Sequence, residues 1–246
     1  MNKDIQVITV CVNFSDIFEI SIKNNKKYFE NYTVVSDLKD VDTHSLCNKY
    51  NINLIKTDSF YKDGANFNKG RVLEETFDVF NRQGWFLLLD ADIIIPNNFS
   101  LPNELNINNL YGIQRKMLRD IDKYHPNLDW KDIPEDANKE IIGYFQLFNG
   151  RSKFLTNRKN WYETDWIHDG GSDGEFLKLF PPENKVKIKG NVLHLGEDVK
   201  NWNGRCSKKT DGTFYPGSDI TLCKQINMFK NRQTNRRNEK IKKEKF

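Results

Sequence analysis

The chain has 246 residues, of which 37% are hydrophobic and 29% are charged, and its formal net charge at pH 7 is +4. Its mean hydropathy is −0.73, and no stretch has the apolar length that a bilayer-spanning helix needs. Eight Lys or Arg and two Glu lie in 230–246, so this tail carries +6 and the rest of the chain −2. A basic body suited to nucleic acid is therefore excluded, and the tail is expected to be a flexible, solvated terminus or a docking segment for an acidic partner.

Cysteine usage indicates a reducing compartment. The four cysteines are scattered without the paired spacing of a disulfide framework or a zinc site, at positions Cys11, Cys47, Cys206 and Cys223. The N-terminal apolar run, 5–12, is shorter than the apolar core of a signal peptide. We therefore expect a cytoplasmic protein with reduced thiols.

In chain order, the first 96 residues alternate between β-branched apolar runs and runs with helical spacing. The predicted strands are 6–12, 32–35, 52–55 and 85–89. The predicted helices are 15–25, with capping residues in 13–16, a second one through Tyr50 capped by Asp42 and Thr43, and a third after an Asn68 cap. This alternation predicts an α/β fold with a mostly parallel, doubly wound sheet flanked by helices.

After Pro96 the pattern becomes less regular. Strands are predicted at 110–114, 141–148, 186–188 and 192–195, a helical run at 176–180, and a long loop at 116–136 that frames a substrate. We predict one domain over 1–229, with a nucleotide-binding half, 1–96, a more irregular acceptor half, 97–229, and the basic tail, 230–246.

Two carboxylates follow the strand 85–89 directly. Asp90 and Asp92 are separated by one small residue, Ala91, and carboxylates at the end of a buried strand are costly unless a cation meets them. A divalent metal ion that also holds substrate phosphates is one answer. The other is an exposed turn with two solvated carboxylates.

Polar residues also follow the other three strands of the first half. In parallel sheets of this kind, ligands bind at the carboxyl ends of the strands. We therefore expect one edge of the sheet to gather Asn13, Asp37, Thr57, Asp58, Asp90 and Asp92.

Three motifs resemble those of GT-A glycosyltransferases, over about 7–205. Asp90-Ala91-Asp92 resembles the Asp-x-Asp motif that ends the fourth strand of that family. The run 170–176 resembles the Gly-Gly-Glu-Asp-type motif of inverting galactosyl- and N-acetylgalactosaminyltransferases, with Ser172 where those enzymes often have Glu and without their preceding Trp. His194 follows where related enzymes place a metal-binding histidine.

The resemblance implies a Rossmann-like GT-A fold and a Mn²⁺ (or Mg²⁺) cofactor. Asp92 would coordinate the ion directly, Asp90 would reach the ribose or the ion through water, and His194 would complete the shell. Asp173 takes the position of the catalytic base, with Glu175 as the second choice.

The resemblance also implies donor and acceptor sites. The donor residues would be Asn13, Asp37, Lys69, Arg71, Ala91, Asn203 and Arg205, of which the last two lie on a loop that closes over the diphosphate. The acceptor residues would be Gly170, Gly171 and Trp202. The implied reaction is the metal-dependent transfer of a sugar from a UDP-sugar to the hydroxyl of a carbohydrate or glycosylated acceptor, with inversion.

Several alternatives stay open. Lys69 and Arg71 could form an ordinary solvated helix start, and a retaining mechanism would follow if neither Asp173 nor Glu175 were essential. A nucleotidyltransferase shares the nucleotide-binding half, but 12–15 is not the glycine-rich, basic phosphate loop that such enzymes carry after the first strand. An inactive sugar-binding or scaffold protein of the same fold is the third alternative.

Overall fold

The computed structural model describes residues 2–65, 67–137, 143–165 and 171–196. The strands are β1 (Asn2–Val10), β2 (Phe29–Asp37), β3 (Asn53–Thr57), β4 (Trp85–Leu89), β5 (Ile93–Ile94), β6 (Leu110–Leu118), β7 (Phe145–Asn149) and β8 (Lys185–Leu195). The α-helices are α1 (Ser15–Asn25), α2 (Val41–Tyr50), α3 (Lys69–Val79) and α4 (Ser172–Leu177). Short 3₁₀ helices cover Lys26–Tyr28, Ser59–Gly64, Ile121–Lys123 and Pro182–Asn184.

These strands form one eight-stranded sheet in the order β3-β2-β1-β4-β7-β6-β8-β5. The first four are mutually parallel, and β7 then runs antiparallel to β4. The antiparallel pairing places Phe145, the first residue of β7, opposite Leu89, the last residue of β4. The start of β7 therefore lies at the same edge as the carboxyl ends of the parallel strands. The predicted α/β class with helices around a mostly parallel sheet is confirmed.

Side-chain caps explain where α2 and α3 begin. The prediction of capping residues in 13–16 was wrong, because α1 begins after Phe14 without a side-chain cap. The Asn68 side chain accepts a hydrogen bond from the Arg71 N–H at 2.9 Å, which confirms the predicted cap of α3. The cap of α2 is Asp40, whose carboxylate accepts from the Thr43 N–H at 3.1 Å. The prediction of Asp42 and Thr43 as caps was wrong, because both lie inside the first turn of α2, which begins at Val41.

The sheet separates two apolar clusters. Successive strand residues point to opposite faces, and Leu87 belongs to the cluster around α1 and α2, whereas Leu88 belongs to the one around α3 and α4. The second cluster is rich in aromatic rings and contains Trp161, Tyr162 and Phe176. The helix that carries Lys69 and the helix that carries Asp173 therefore pack on the same face of the sheet.

The second half differs from the sequence prediction in several bounds: the helical run predicted at 176–180 is α4 at Ser172–Leu177, and the described part of the strand predicted at 141–148 begins at Phe145. β6 continues to Leu118, into the predicted long loop, and residues near Pro134 bond back to it: the Met117 N–H donates to the Pro134 carbonyl at 2.9 Å. The buried guanidinium of Arg115 pairs with Asp136 at 2.7 Å in the same region. β8 is one strand rather than the two that the sequence predicts. Its pairing with β6 shifts register between Ile113 and Gln114, and the two strands stay paired on both sides of the shift.

The cysteines that the structure describes are free and buried. Burial is the largest cause that raises the pKa of the Cys11 thiol well above its ordinary value, and it raises that of Cys47 to about 12. Both thiols are therefore protonated and unreactive near neutral pH. Within the described part of the chain, no helix is long and apolar enough to cross a membrane.

Candidate active site

The Asp-x-Asp turn links β4 to β5 and is fixed by backbone hydrogen bonds. The Asp90 N–H donates to the Tyr144 carbonyl just before β7, at 3.1 Å. The Leu195 N–H at the end of β8 donates to the Asp92 carbonyl at 2.9 Å. The turn is therefore held between two strands that lie far away in the sequence, and its two carboxylates meet different neighbours.

Asp92 faces His194. The imidazole Nε2 of His194 lies 3.3 Å from Asp92 Oδ2, and the two side chains are only 3% and 13% exposed. His194 reaches this position because β8 pairs with β5, in a register that sets His194 opposite Ile93. The structure thus brings together two of the three residues that were predicted to bind metal.

Asp90 faces a lysine. The ammonium Nζ of Lys69, the first residue of α3, lies 3.1 Å from Asp90 Oδ1 and 3.4 Å from Asp173 Oδ2. Partial removal from water by the surrounding protein is the largest cause that raises the pKa of Asp90 above its ordinary value. Lys69 opposes this shift, whereas the charges of Asp92 and Asp173 add to it. The lysine therefore joins the Asp-x-Asp turn to the predicted base.

Asp173 lies in the first turn of α4. Gly171 caps this helix with a φ of 100°, a left-handed conformation that favours glycine. The Asp173 carboxylate lies between Lys69 on one side and the Tyr162 hydroxyl, 3.5 Å from Oδ1, on the other. Gly143 contacts it closely, because a Cβ added at Gly143 would lie 2.0 Å from Asp173 Oδ2. No side chain other than hydrogen fits at Gly143 while Asp173 keeps this position.

Two other predicted residues form ion pairs with residues outside this site. Glu175 pairs at 2.9 Å with Lys178, which directly follows α4. Arg71 pairs with Asp63 at 2.7 Å, at the 3₁₀ helix that precedes α3. Among the residues predicted for catalysis and phosphate binding, the structure therefore gathers Asp173 and Lys69.

A cleft opens at the ends of β1, β2 and β3. It has a volume of about 600 Å³, and residues of the nucleotide-binding half line it: Asn13, Ser15, Asp37, Leu38, Val41 and Tyr61, together with the charged residues Lys39, Asp40, Asp42, Asp58 and Lys62. Asn13 adopts a left-handed backbone with φ 58°, and its N–H donates to Asp40 Oδ2 at 2.7 Å. Leu38 and Val41 expose 52% and 65% of their surface, so the cleft offers apolar as well as polar contacts. Both Asn13 and Asp37 lie where the sequence placed them.

The other predicted residues divide into two groups. Ala91 is 9% exposed, and its carbonyl accepts a hydrogen bond from Ser21 Oγ at 2.6 Å. Outside the described residues lie Gly170, Trp202, Asn203 and Arg205. Their predicted roles in acceptor and diphosphate binding stay predictions.

The sequence did not predict two residues next to Asp173: Tyr162, which contacts its carboxylate, and Gln146, which contacts Tyr162. Tyr162 and Gln146 are almost fully buried, and the Tyr162 hydroxyl donates to Gln146 Oε1 at 2.5 Å. Gln146 does give a signal, because it is a polar residue inside the apolar run of β7, and a buried amide needs a partner. Tyr162 gives none, since nothing in the sequence distinguishes it from the other aromatic core residues.

The arrangement is chemically suited to a divalent ion shared with a substrate phosphate. In the described ranges, no group of three or more His, Cys, Asp or Glu is arranged to hold a metal ion by itself. Mg²⁺ in particular is usually bound by one or two carboxylates together with substrate phosphates rather than by a protein cage. The carboxylate of Asp92 and the imidazole of His194 are donors that Mn²⁺ and related ions accept. The residues present fit such an ion.

Comparison with known proteins gives similarity of fold at low sequence identity. No protein-family model and no curated protein sequence matches the chain. Glucosyl-3-phosphoglycerate synthase from Mycobacterium tuberculosis, in complex with UDP, is similar with a TM-score of 0.34 and 13% identity over 47% of this chain. This chain spans 45% of that protein.

Two further structures represent the two classes of enzyme found. The catalytic domain of Drosophila β1,4-galactosyltransferase 7, in complex with xylobiose, has a TM-score of 0.40 and 12% identity, over 85% of this chain and 70% of its own. CTP:phosphocholine cytidylyltransferase from Streptococcus pneumoniae has a TM-score of 0.42 and 14% identity, over 76% of this chain and 91% of its own. Glycosyltransferases and nucleotidyltransferases thus both occur among the similar structures.

Proposed function

We propose that the protein is a glycosyltransferase that moves a sugar from a UDP-sugar to an acceptor hydroxyl, with a divalent metal ion and with inversion. The observation that carries this proposal is that Lys69 Nζ contacts both Asp90 and Asp173, at 3.1 and 3.4 Å. A carboxylate of the Asp-x-Asp turn and a carboxylate more than 80 residues later are thereby held at one edge of the sheet, around a single cation.

The donor would lie between the cleft and this edge. The nucleoside would occupy the cleft, with its ribose and base near Asn13 and Asp37 and its apolar face on Leu38 and Val41. The diphosphate would then extend toward the Asp-x-Asp turn, where Lys69 offers positive charge. This path follows the rule that ligands bind at the carboxyl ends of parallel strands.

Asp92 and His194 would hold Mn²⁺ or Mg²⁺. When bound, the ion neutralises the charge that develops on the departing diphosphate. Asp92 and His194 are nearly buried, so their orientation is set before the donor arrives. His194 binds as the neutral imidazole, since only an unprotonated nitrogen can be a ligand.

Asp173 would act as the general base. Its carboxylate accepts the proton of the acceptor hydroxyl while the oxygen attacks the anomeric carbon and the diphosphate leaves from the opposite face. Lys69 lies between Asp173 and Asp90 and keeps the two carboxylates from repelling each other when both are charged. The acceptor would approach over Gly171, at the start of α4, with Gly170 and Trp202 as its further predicted contacts.

The test measures nucleotide release without a known acceptor. The purified chain is incubated with UDP-glucose, UDP-galactose, UDP-N-acetylglucosamine, UDP-N-acetylgalactosamine, GDP-mannose and dTDP-glucose, with and without Mn²⁺. We expect Mn²⁺-dependent UDP release from one UDP-sugar, abolished in Asp92→Ala. Asp129→Ala is the matched control, because it removes a carboxylate that is 66% exposed and paired only with Lys131 among the contacts described.

Two outcomes would contradict the proposal. Absence of release and of Mn²⁺-dependent UDP binding across the panel would favour an inactive protein of this fold. Release of pyrophosphate from UTP or CTP in the presence of a sugar 1-phosphate would instead identify a nucleotidyltransferase.

A further inference from the structure

A buried tyrosine contacts the carboxylate of the proposed base, Asp173. Tyr162 is 1% exposed, and its hydroxyl oxygen lies 2.5 Å from Gln146 Oε1 and 3.5 Å from Asp173 Oδ1. A tyrosine hydroxyl has one hydrogen, so it can donate to only one of these two acceptors at a time. The shorter distance assigns the hydrogen to Gln146 here, which leaves the longer contact to Asp173 without a hydrogen between its two oxygens.

The Gln146 amide provides a second arrangement. Its Nε2 is buried and has no hydrogen-bond partner within the part of the chain that the structure describes. A half turn of the amide about its last side-chain bond exchanges Oε1 and Nε2. Nε2 then donates to the Tyr162 oxygen, and the hydroxyl hydrogen is released toward Asp173 Oδ1. This arrangement gives the amide N–H a partner and gives the carboxylate a donor.

The rest of Tyr162 is held firmly, so only its hydrogen and the amide need to move. The backbone N–H groups of Tyr162 and Trp161 donate to Glu74 Oε1 on α3, at 2.7 and 2.9 Å. The Tyr162 ring stacks on Phe176 with a centroid distance of 4.7 Å and an interplanar angle of 11°. Because Phe176 follows Asp173 by three residues on α4, this stacking also fixes the distance between the hydroxyl and the carboxylate.

Tyr162 remains a hydrogen-bond donor over the whole working range of pH. Burial first, and then the negative charge of Asp173, raise the pKa of Tyr162 well above its ordinary value. The hydroxyl therefore does not compete with Asp173 for the acceptor's proton. Its contribution is restricted to orientation and to stabilisation of the charged carboxylate.

We propose that Tyr162 is a positioning residue for Asp173, and that Gln146 lets its hydroxyl alternate between the two partners. The inference rests on the proposed function, in which Asp173 takes the acceptor's proton. While Asp173 is charged, Tyr162 donates to Oδ1 and Lys69 holds Oδ2. Once the carboxylate has received the proton, the hydroxyl turns back to Gln146, so the bond that stabilised the anion is withdrawn when the anion is gone.

The first test is a double-mutant cycle on stability, which needs no substrate. The folding equilibrium constants of wild type, Tyr162→Phe, Asp173→Ala and the double variant are measured by urea unfolding at neutral pH. We expect the two changes to be coupled by a factor of at least about three, because contacting residues are not additive. The control cycle pairs Asp173→Ala with Tyr32→Phe. Tyr32 is a buried tyrosine whose hydroxyl bonds Thr9 at 2.9 Å, and that pair should be additive within about twofold.

The second test separates positioning from simple stability. With the UDP-sugar identified above, Tyr162→Phe should lower kcat about tenfold or more while the donor KM stays within about twofold, since misplaced groups slow the chemical step. Tyr32→Phe should change neither kcat nor the donor KM. Gln146→Leu, which leaves the tyrosine without its amide, should lower kcat by a smaller factor.

Either test can overturn the inference. Additivity of Tyr162→Phe and Asp173→Ala would show that the hydroxyl does not interact with the carboxylate, whatever the activity. A coupled cycle with unchanged kcat in Tyr162→Phe would show a structural contact only. Lack of turnover in the wild type would count against the proposed function alone, because the stability cycle would still decide whether Tyr162 orients Asp173.

Discussion

Asp90 and Asp92 are two residues apart, yet they lie in two different parts of the site. Asp92 and the imidazole of His194 are nearly buried, on the β5–β8 side of the turn. Asp90 is 38% exposed and pairs with the ammonium of Lys69, on the α3 side. Through Lys69 this second side also contains Asp173. The two carboxylates of one short motif thus enter different interactions, because the elements that meet each of them differ.

If the two sides have separate tasks, a change on one side should leave the other intact. In the proposed function, metal binding would belong to the β5–β8 side and proton transfer to the α3–α4 side. The variants that follow, ordered by the size of their expected effect, test this separation.

Asp173→Asn should have the largest effect on activity. It keeps the size of the side chain but removes the proton acceptor, so kcat should fall by about 10²–10⁴-fold. The affinity for Mn²⁺ and UDP, measured by calorimetry, should stay within about threefold of the wild type. Equal losses of turnover and of Mn²⁺–UDP affinity would show that the two sides are not separate. Asp129→Asn is the control for loss of an exposed charge.

Gly143→Ala should disturb the α3–α4 side without removing any functional group. The added Cβ would lie 2.0 Å from Asp173 Oδ2, so the carboxylate must shift. A displacement of about 1 Å can lower the rate about 10²-fold, which is the loss of kcat that we expect. Gly174→Ala is the matched control, because its Cβ meets nothing within 4 Å. If both variants turn over at the wild-type rate, the described contact between Gly143 and Asp173 is not present in the working enzyme.

His194→Asn should disturb the β5–β8 side alone. Loss of the imidazole should weaken Mn²⁺ binding in the presence of UDP by at least about tenfold, as measured by calorimetry. At saturating Mn²⁺, kcat should recover most of its wild-type value, since Asp173 and Lys69 are unchanged. A kcat that stays low at saturating Mn²⁺ would place His194 in the chemical step and not only in metal binding.

The smallest expected effect concerns the pH dependence of stability. Glu74 is 4% exposed, and burial is the largest cause that raises its pKa above 4.5. A raised pKa means that the folded protein holds the proton more tightly than the unfolded chain does. The stability from this group is therefore fully present below pH 4.5 and is lost as the pH rises through the raised value.

Glu74→Gln tests this expectation. Relative to Glu74→Gln, the wild-type free energy of unfolding should decrease between pH 4.5 and pH 7. Urea unfolding of both proteins across this range measures the difference, in which the titration of all other groups cancels to first order. A difference that does not change with pH would show that Glu74 is charged throughout, held so by Arg82 at 2.9 Å and by the two N–H groups that it accepts.

The sequence predicted the first half of the fold well because its signals there are local. The predicted helix 15–25 coincides with α1, and the Asn68 cap and the strand before Asp90 are where the pattern put them. Propensity, periodicity and caps depend on residues within one or two turns of each other. The shared edge of Asn13, Asp37 and Asp90 followed from parallel strands alone.

The second half and the contacts within the site could not be predicted in the same way. β5 has two residues and becomes a strand only because β8 pairs with it. Lys69 was expected at a phosphate, and its position between two carboxylates depends on how α3 and α4 pack on one face of the sheet. Tyr162 contacts Asp173 through such packing too. These contacts depend on tertiary packing, which no local sequence pattern predicts.

The pairing of β8 with β5 also bears on the order of events during synthesis. His194 meets Asp92 across about 100 intervening residues, so this contact closes only after almost the whole described chain has left the ribosome. Contacts of such high sequence separation form slowly, because the entropy of loop closure must be overcome first. A nascent chain with β1 to β4 already folded would hold the Asp-x-Asp turn without its imidazole, so the proposed metal-binding pair forms only when β8 joins the sheet.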